Sequence, residues 1–389
     1  MSSYFERVIN ETTYNQKARG AEPLGELNNI SSSAWDDRHL VACHVIIGSR
    51  SRNYLQRLEA AVGRPEDDLE DGNMESQITK FIDGLDQQRK GQLENQLVHD
   101  PEVGTSLAQI WDSLYNVDSS EAGQTALQET STESSEKRSI QDTSTEDQDA
   151  SRYPKRSRKT VYNPGFVDPG DFPSSPPRSS QDLPTSSPTE GYVESISRKG
   201  LILEDYTVRL VFCVLRHVLY HCQKPDSSYV EVRERQRASM NIDGREVTAI
   251  DDGGLCLTST GRNRTLKSIV LIEAKRQLEV SQDRVITSDT VLGQMLCEAI
   301  AARVSGQEEC DDVFIINATS HYMCFFHFEI SDIQLQAITR GERPVKPIKV
   351  HATRWLNVKD APQRRHIARN IRQVIGIGLY FRIAILHLS

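Results

Sequence analysis

Asp251-Asp252, Glu273, Lys275 and Gln294 are the residues whose types and order could do chemistry. Glu273 and Lys275 close an apolar run, Ile269-Val270-Leu271-Ile272, that reads as a strand. Side chains two apart on a strand share a face, so a carboxylate and an ammonium emerge together at its end. The stretch from Val247 to Asp252 reads as the preceding strand. The segment from Thr258 to Arg264 is polar and contains Gly261, as a hairpin connection should. Antiparallel pairing of the two strands would set an aspartate against Glu273. Two acids and one lysine gathered in this way suit a divalent cation with oxygen ligands and the hydrolysis of a phosphodiester.

The elements that must position these groups can be read from periodicity. Asp205 to Cys222 carries an apolar stripe through Val208, Val211, Phe212, Leu215, Val218 and Leu219, an amphipathic helix that needs a sheet to cover. A strand is expected at Ser228 to Arg233, followed by the two strands ending at Asp252 and Lys275. Ser288 is a plausible N-cap for a helix from Asp289 to Val304, with Gln294 and Glu298 one turn apart. Two further strands are expected, at Asp312 to Asn317 and at Tyr322 to Ile330. Helix, three strands, helix and two strands predict an α/β (mixed α+β) architecture, a mixed sheet flanked by helices.

Three stretches together resemble the PD-(D/E)XK nuclease superfamily: Asp-Asp-Gly-Gly-Leu at 251 to 255, Leu-Ile-Glu-Ala-Lys-Arg at 271 to 276, and Leu-Gly-Gln-Met-Leu-Cys-Glu-Ala at 292 to 299. The likeness is nearer still to fungal proteins that carry a PD-(D/E)XK nuclease-like domain. It covers roughly residues 200 to 335 and leaves out the N-terminal third. It implies a restriction-endonuclease-like αβββαβ core and a nuclease that uses Mg2+ or Mn2+. In that superfamily the Asp and Glu hold one or two metal ions, the carbonyl between Glu and Lys can be a further ligand, and the Lys positions or activates water. Carried over, those roles fall on Asp252 (or Asp251), Glu273, the Ala274 carbonyl and Lys275. Gln294 matches the glutamine that many members place on the helix after the third strand. The motif's proline is missing, because Ile250 precedes Asp251. Glu231 or Glu234 could supply the acid that some members place ahead of the first Asp. The alternative reading is a nuclease-like domain without catalysis, serving as a nuclear module that binds nucleic acid or protein.

The bland readings of the same residues are a surface salt bridge for Glu273 and Lys275, worth about 0 to 1 kcal/mol, a turn at Asp-Asp-Gly-Gly, and a solvated Gln294. Joint order and spacing favour the site. His217, His221, His321 and His327 show no metal-ligand spacing and read as core or surface histidines.

Composition bounds the rest. Among 389 residues only 37% are hydrophobic, and the mean hydropathy is −0.52, low for a chain folded throughout. The net charge of −9 argues against attraction of nucleic acid by the whole surface. Seven cysteines, with no Cys-x-x-Cys pair, read as free thiols in a reducing compartment. No signal peptide and no membrane span are expected.

Residues 1–39 read as a flexible N-terminus. Residues 40–116 read as a helical region, with periodic stretches near 54–62, 76–85 and 103–115. Residues 117–190 are rich in Ser, Thr, Glu and Pro and predict a disordered linker. Within it lies a basic cluster at 154–159, which reads either as a nuclear-import address or as an accidental charge run; the expected location is inside the cell, and the nucleus under the first of these readings. Residues 191–335 hold the nuclease-like domain, and 336–389 a basic extension packed on it. That extension carries ten basic residues between Arg340 and Arg372 against Glu342 and Asp360 alone, including Arg365, Arg369 and Arg372 at helical spacing. DNA or RNA phosphates are the expected partner of this stretch, and a solvated helix face is the alternative.

Overall fold

The computed structural model describes residues 3–27, 31–50, 52–58, 76–132, 190–223, 228–259, 266–275, 279–281, 284–306 and 311–386. The basic cluster at 154–159, the bulk of the expected linker and residues 59–62 of the 54–62 stretch lie outside them. The helices are α1 (Tyr4–Arg7), α2 (Glu11–Lys17), α3 (Asp37–Ala42), α4 (Ser76–Asp83), α5 (Glu94–Val98), α6 (Thr105–Thr132), α7 (Glu190–Cys222), α8 (Asp289–Val304), α9 (Asp332–Thr339) and α10 (Ala361–Leu386). The strands are β1 (Val45–Ile47), β2 (Ser228–Arg233), β3 (Arg237–Ile242), β4 (Arg245–Ile250), β5 (Gly253–Ser259) and β6 (Leu266–Lys275). They continue with β7 (Val280–Ser281), β8 (Arg284–Val285), β9 (Asp312–Thr319), β10 (Tyr322–Glu329), β11 (Ile348–Ala352) and β12 (Leu356–Asn357).

Eight strands form one mixed sheet in the order β1-β11-β10-β9-β6-β5-β2, with β12 also pairing with β10. β6 and β9 run parallel, as do β1 and β11, and the other pairings are antiparallel. The two central strands show why the sheet is buried on both sides. In β6, Val270 and Ile272 point to one face and Leu271 to the other, and in β9 Phe314 and Ile316 alternate with Val313 and Ile315. One face is covered by α4, α6, α7 and α10. The other is covered by α8, the N-terminal segment and the separate β3–β4 hairpin.

Several expectations change at the borders. The strand paired with β6 is Gly253–Ser259, one step later than expected, while the stretch before Asp251 belongs to β4 and pairs with β3 instead. Gly253 is the reason for the break. Its φ is +138°, and a Cβ there would lie 2.5 Å from Phe212 Cζ, so the chain turns at Asp-Asp-Gly-Gly and starts a new strand. The N-terminus is ordered rather than loose. Tyr4, Val8 and Tyr14 are buried, and the hydroxyls of Tyr4 and Tyr14 donate to the carbonyls of Val45 and Val41 at 2.7 and 2.8 Å. These few large side chains dock on β1 and α8, so anchoring here depends on size and hydrogen bonding rather than on a long apolar run. Residues 117–132, expected to begin the linker, continue α6. Ser288 accepts from the Val291 amide at 3.4 Å and starts α8 where its N-cap was expected.

Candidate active site at the ends of β5 and β6

Asp252, Glu273 and Asn317 lie in one row across three neighbouring strands. The Asp252 amide donates to the Ile272 carbonyl at 2.9 Å, which brings Asp252 beside the end of β6. Glu273 pairs in parallel register with Asn317, and Lys275 with Thr319. Helix α8 crosses this face and supplies Gln294 and Glu298. The site thus sits at the carboxyl ends of the parallel strands β6 and β9, where open α/β sheets hold ligands.

The two aspartates have different roles. Asp251 is 5% exposed. Its Oδ1 accepts from the amides of Gln236 at 2.9 Å and Gly253 at 3.0 Å and from Arg233 Nη1 at 3.0 Å, while Oδ2 accepts from Arg233 Nη2 at 2.7 Å. This two-pronged buried pair consumes both oxygens and locks the turn. Asp252 takes only one backbone donor, the Ala274 amide at 2.9 Å on Oδ2. Its Oδ1 accepts from Arg235 Nη2 at 2.6 Å, an arginine whose side chain is 60% exposed. Of the two acids carried forward from the sequence, Asp252 is the one whose Oδ1 is held only by an exposed side chain. Because a residue's own N–H and C=O point to the same strand edge, the Ala274 carbonyl is directed to the Asp252 side.

Glu273 is 1% exposed and ion-paired with Lys275 through Oε1. Lys275 Nζ also donates to Gln294 Oε1 at 2.6 Å. Gln294 Nε2 in turn donates to Glu298 Oε1 at 2.9 Å, which fixes the orientation of the amide. The four side chains form one chain of contacts, Glu273, Lys275, Gln294 and Glu298, and it closes because the two carboxyl groups lie within hydrogen-bonding reach of each other. Burial pushes Glu273 up to about 7, against the opposing pull of Lys275. Burial and the Glu273 charge push Glu298 well above the usual carboxylate range. Burial alone would lower Lys275, but Glu273 outweighs it and keeps the ammonium charged. Asn317 Oδ1 is a buried acceptor without a donor among the described residues, and Glu273 Oε2 and Glu298 Oε2 have no partner beyond the proton that the two carboxyls share. Buried acceptors that lack donors are costly, and hard oxygen ligands of this type suit Mg2+ or Mn2+. The residues therefore fit such an ion.

Sequence reasoning missed Glu298 and Asn317 as members of the site. The one-turn spacing to Gln294 marked Glu298 as a neighbour but gave no sign of its near-complete burial. Asn317 becomes visible only through the β6–β9 register. Glu231 and Glu234 do not join the cluster. Glu231 Oε1 accepts from Thr258 Oγ1 at 2.7 Å, and Glu234 is exposed.

A second grouping, at β10 and β11, was not expected. Ligand atoms of His327, Glu329 and His351 lie within 4.8 Å of one another. These groups already satisfy each other. His327 Nε2 meets Asp312 Oδ1 at 2.7 Å, and His351 Nε2 lies 3.2 Å from Glu329 Oε1. The Ser49 amide donates to His351 Nδ1 at 3.0 Å, so in the neutral ring Nε2 carries the proton and has no lone pair for a metal. His217 is a satisfied core histidine. Its Nδ1 lies 2.9 Å from Ser106 Oγ and its Nε2 3.1 Å from the Gln77 carbonyl.

The basic stretch is divided in its uses. Arg364 is buried and donates to the carbonyls of Ile82, Val358 and Lys359, stitching α10 to α4. Arg369 donates to the Tyr54 hydroxyl at 2.9 Å and Arg343 to the Ala21 carbonyl at 3.2 Å. Lys346, Lys349, Arg354, Arg365 and Arg372 are exposed. The described cysteines Cys43, Cys213, Cys222, Cys256, Cys297 and Cys324 are free thiols, most of them buried. Among the described residues no helix is long and apolar enough to cross a membrane. Comparison with family models and with curated proteins finds no match to this chain.

Proposed function

We propose that this protein is a metal-dependent nuclease that hydrolyses phosphodiester bonds of DNA or RNA. The observation that carries the reading is the convergence of Asp252, Glu273, Lys275 and Gln294, residues as far as 42 positions apart, at adjacent strand ends beneath one helix. The run from α7 through β2, β5, β6, α8, β9 and β10 also supports an αβββαβ core of the PD-(D/E)XK kind, with the β3–β4 hairpin inserted before β5.

Asp252 Oδ1, Glu273 and the Ala274 carbonyl would hold Mg2+ or Mn2+. When bound, such an ion polarises the scissile phosphate and lowers the pKa of a coordinated water. Lys275 has three donors, two of them engaged by Glu273 and Gln294, which leaves one for the attacking water or for charge developing on phosphate. Gln294 holds that ammonium in place, and Glu298 holds Gln294. The exposed cations of the 340–372 stretch would neutralise backbone phosphates.

One observation favours a second reading, a non-catalytic nuclease-like module in the nucleus: Glu273 is almost wholly buried and shares its environment with a second carboxyl. Cleavage assays decide between the two. Labelled single- and double-stranded DNA and RNA are incubated with the full chain and Mg2+, Mn2+ or EDTA, beside Glu273→Ala and Lys275→Ala. Metal-dependent cleavage that disappears in both variants supports the nuclease. Nucleic-acid binding without cleavage supports the module.

A further inference from the structure

We infer that Arg235 is a tethered stand-in for the metal: it occupies the cation position on Asp252 and, once displaced, becomes a contact for the substrate's phosphate. This rests on the metal-dependent reading of the site and adds a residue to it.

The geometry around the two Asp–Arg pairs carries the inference. Asp251 and Arg233 are both buried and joined by two hydrogen bonds, an arrangement that holds a turn and does not exchange. Asp252 and Arg235 share one hydrogen bond, and the arginine side chain is 60% exposed. Asp252 Oδ2 is held by the Ala274 amide, so Oδ1 is the oxygen left for a cation, and the guanidinium stands on it. A divalent ion arriving at Oδ1 would meet a second positive charge about 4 Å away, which favours release of the guanidinium.

The backbone below Arg235 does not move with the side chain. Arg233 Nη1 donates to the Glu234 carbonyl at 3.1 Å, and Gln236 and Asp251 exchange backbone and side-chain hydrogen bonds at 2.9 and 3.1 Å. Residue 235 is therefore fixed at its base, while its exposed tip is held by the single hydrogen bond to Asp252. A released guanidinium remains beside the metal position, where the anion that arrives is a phosphodiester. Its planar fork suits two phosphate oxygens, which a lysine at the same place could not engage as a pair.

The test uses the full chain and two readouts that need no turnover. Mn2+ is titrated and the free ion followed by its paramagnetic signal, for the wild type, Arg235→Gln and Asp252→Asn. Arg235→Gln is expected to bind Mn2+ about three- to tenfold more tightly, because a competing charge is gone, and Asp252→Asn to lose the site. Binding of labelled oligonucleotides is then measured against salt with Mn2+, in a Lys275→Gln background. There Arg235→Gln should weaken binding and reduce the slope of log K against log salt by about 0.7 to 0.9, one phosphate contact. Wild-type Mn2+ binding that Arg235→Gln leaves unchanged or weakens overturns the stand-in role while sparing the metal site. An unchanged salt slope overturns the phosphate contact. Failure of the wild type to bind Mn2+ overturns this inference and the metal-dependent reading together.

Discussion

Asp251→Asn separates the aspartate that holds the turn from the one offered to a cation. Asn retains an oxygen for the amides of Gln236 and Gly253, both of which bond Oδ1. At the Oδ2 position it places an NH2 against Arg233 Nη2, 2.7 Å away, and among the described residues it removes the only carboxylate paired with this arginine, whose side chain is 4% exposed. Breaking one side of a buried ion pair costs about 3 to 5 kcal/mol. At about 2 to 4 °C per kcal/mol for a body of this size, the melting temperature should fall by roughly 6 to 20 °C. Asp252→Asn, by contrast, loses an exposed partner and keeps one acceptor oxygen for the Ala274 amide, so its cost is about 1 kcal/mol. Scanning calorimetry of both variants and of Arg233→Leu/Asp251→Asn gives the comparison. The double variant should recover part of the loss, since it leaves no unpaired charge. Equal melting points for Asp251→Asn and Asp252→Asn would refute the division of roles.

Further outcomes follow from the same geometry. Gln294→Leu frees Lys275 from its second acceptor and should slow cleavage about 10- to 100-fold without changing which metal is required, as read by single-turnover kinetics with Mg2+ and Mn2+. Gly254→Ala would bring a Cβ within 2.3 Å of the Val270 carbonyl oxygen, so chemical denaturation should show a loss of about 1 to 3 kcal/mol. His217 supplies a pH test. Burial pushes it from 6.5 down to about 4, so the unfolded chain takes up a proton that the folded one refuses. Stability is full above about 6.5 and is lost as pH falls towards 4, with about 2 kcal/mol gone at pH 5. Urea midpoints at pH 7 and pH 5 should therefore lie further apart in the wild type than in His217→Gln by about that energy.

Elements with strong local signals were legible in the sequence. The run ending Ile-Glu-Ala-Lys gave β6, Ser288 gave the start of α8, and alternation through Met323, Phe325, His327 and Glu329 gave β10. Register was less legible. Whether β4 or β5 pairs with β6 depends on Gly253, whose positive φ and close approach to Phe212 are tertiary facts. The roles of Asp251 and Asp252 depend on two arginines 18 and 17 positions earlier. Two polar side chains of the site, Glu298 and Asn317, are buried by a helix and a strand that come together only in the fold. The N-terminal segment was expected to be loose because its anchors, Tyr4, Val8 and Tyr14, are few and irregularly spaced, a pattern that no helix or strand period reveals.

The most direct test of the account is cleavage of labelled DNA and RNA by the purified chain with Mg2+ or Mn2+, beside Glu273→Gln and Lys275→Met variants whose melting points match the wild type. The account predicts strand scission by the wild type alone, abolished by EDTA. Equal cleavage by either variant, or scission that persists in EDTA, would contradict it.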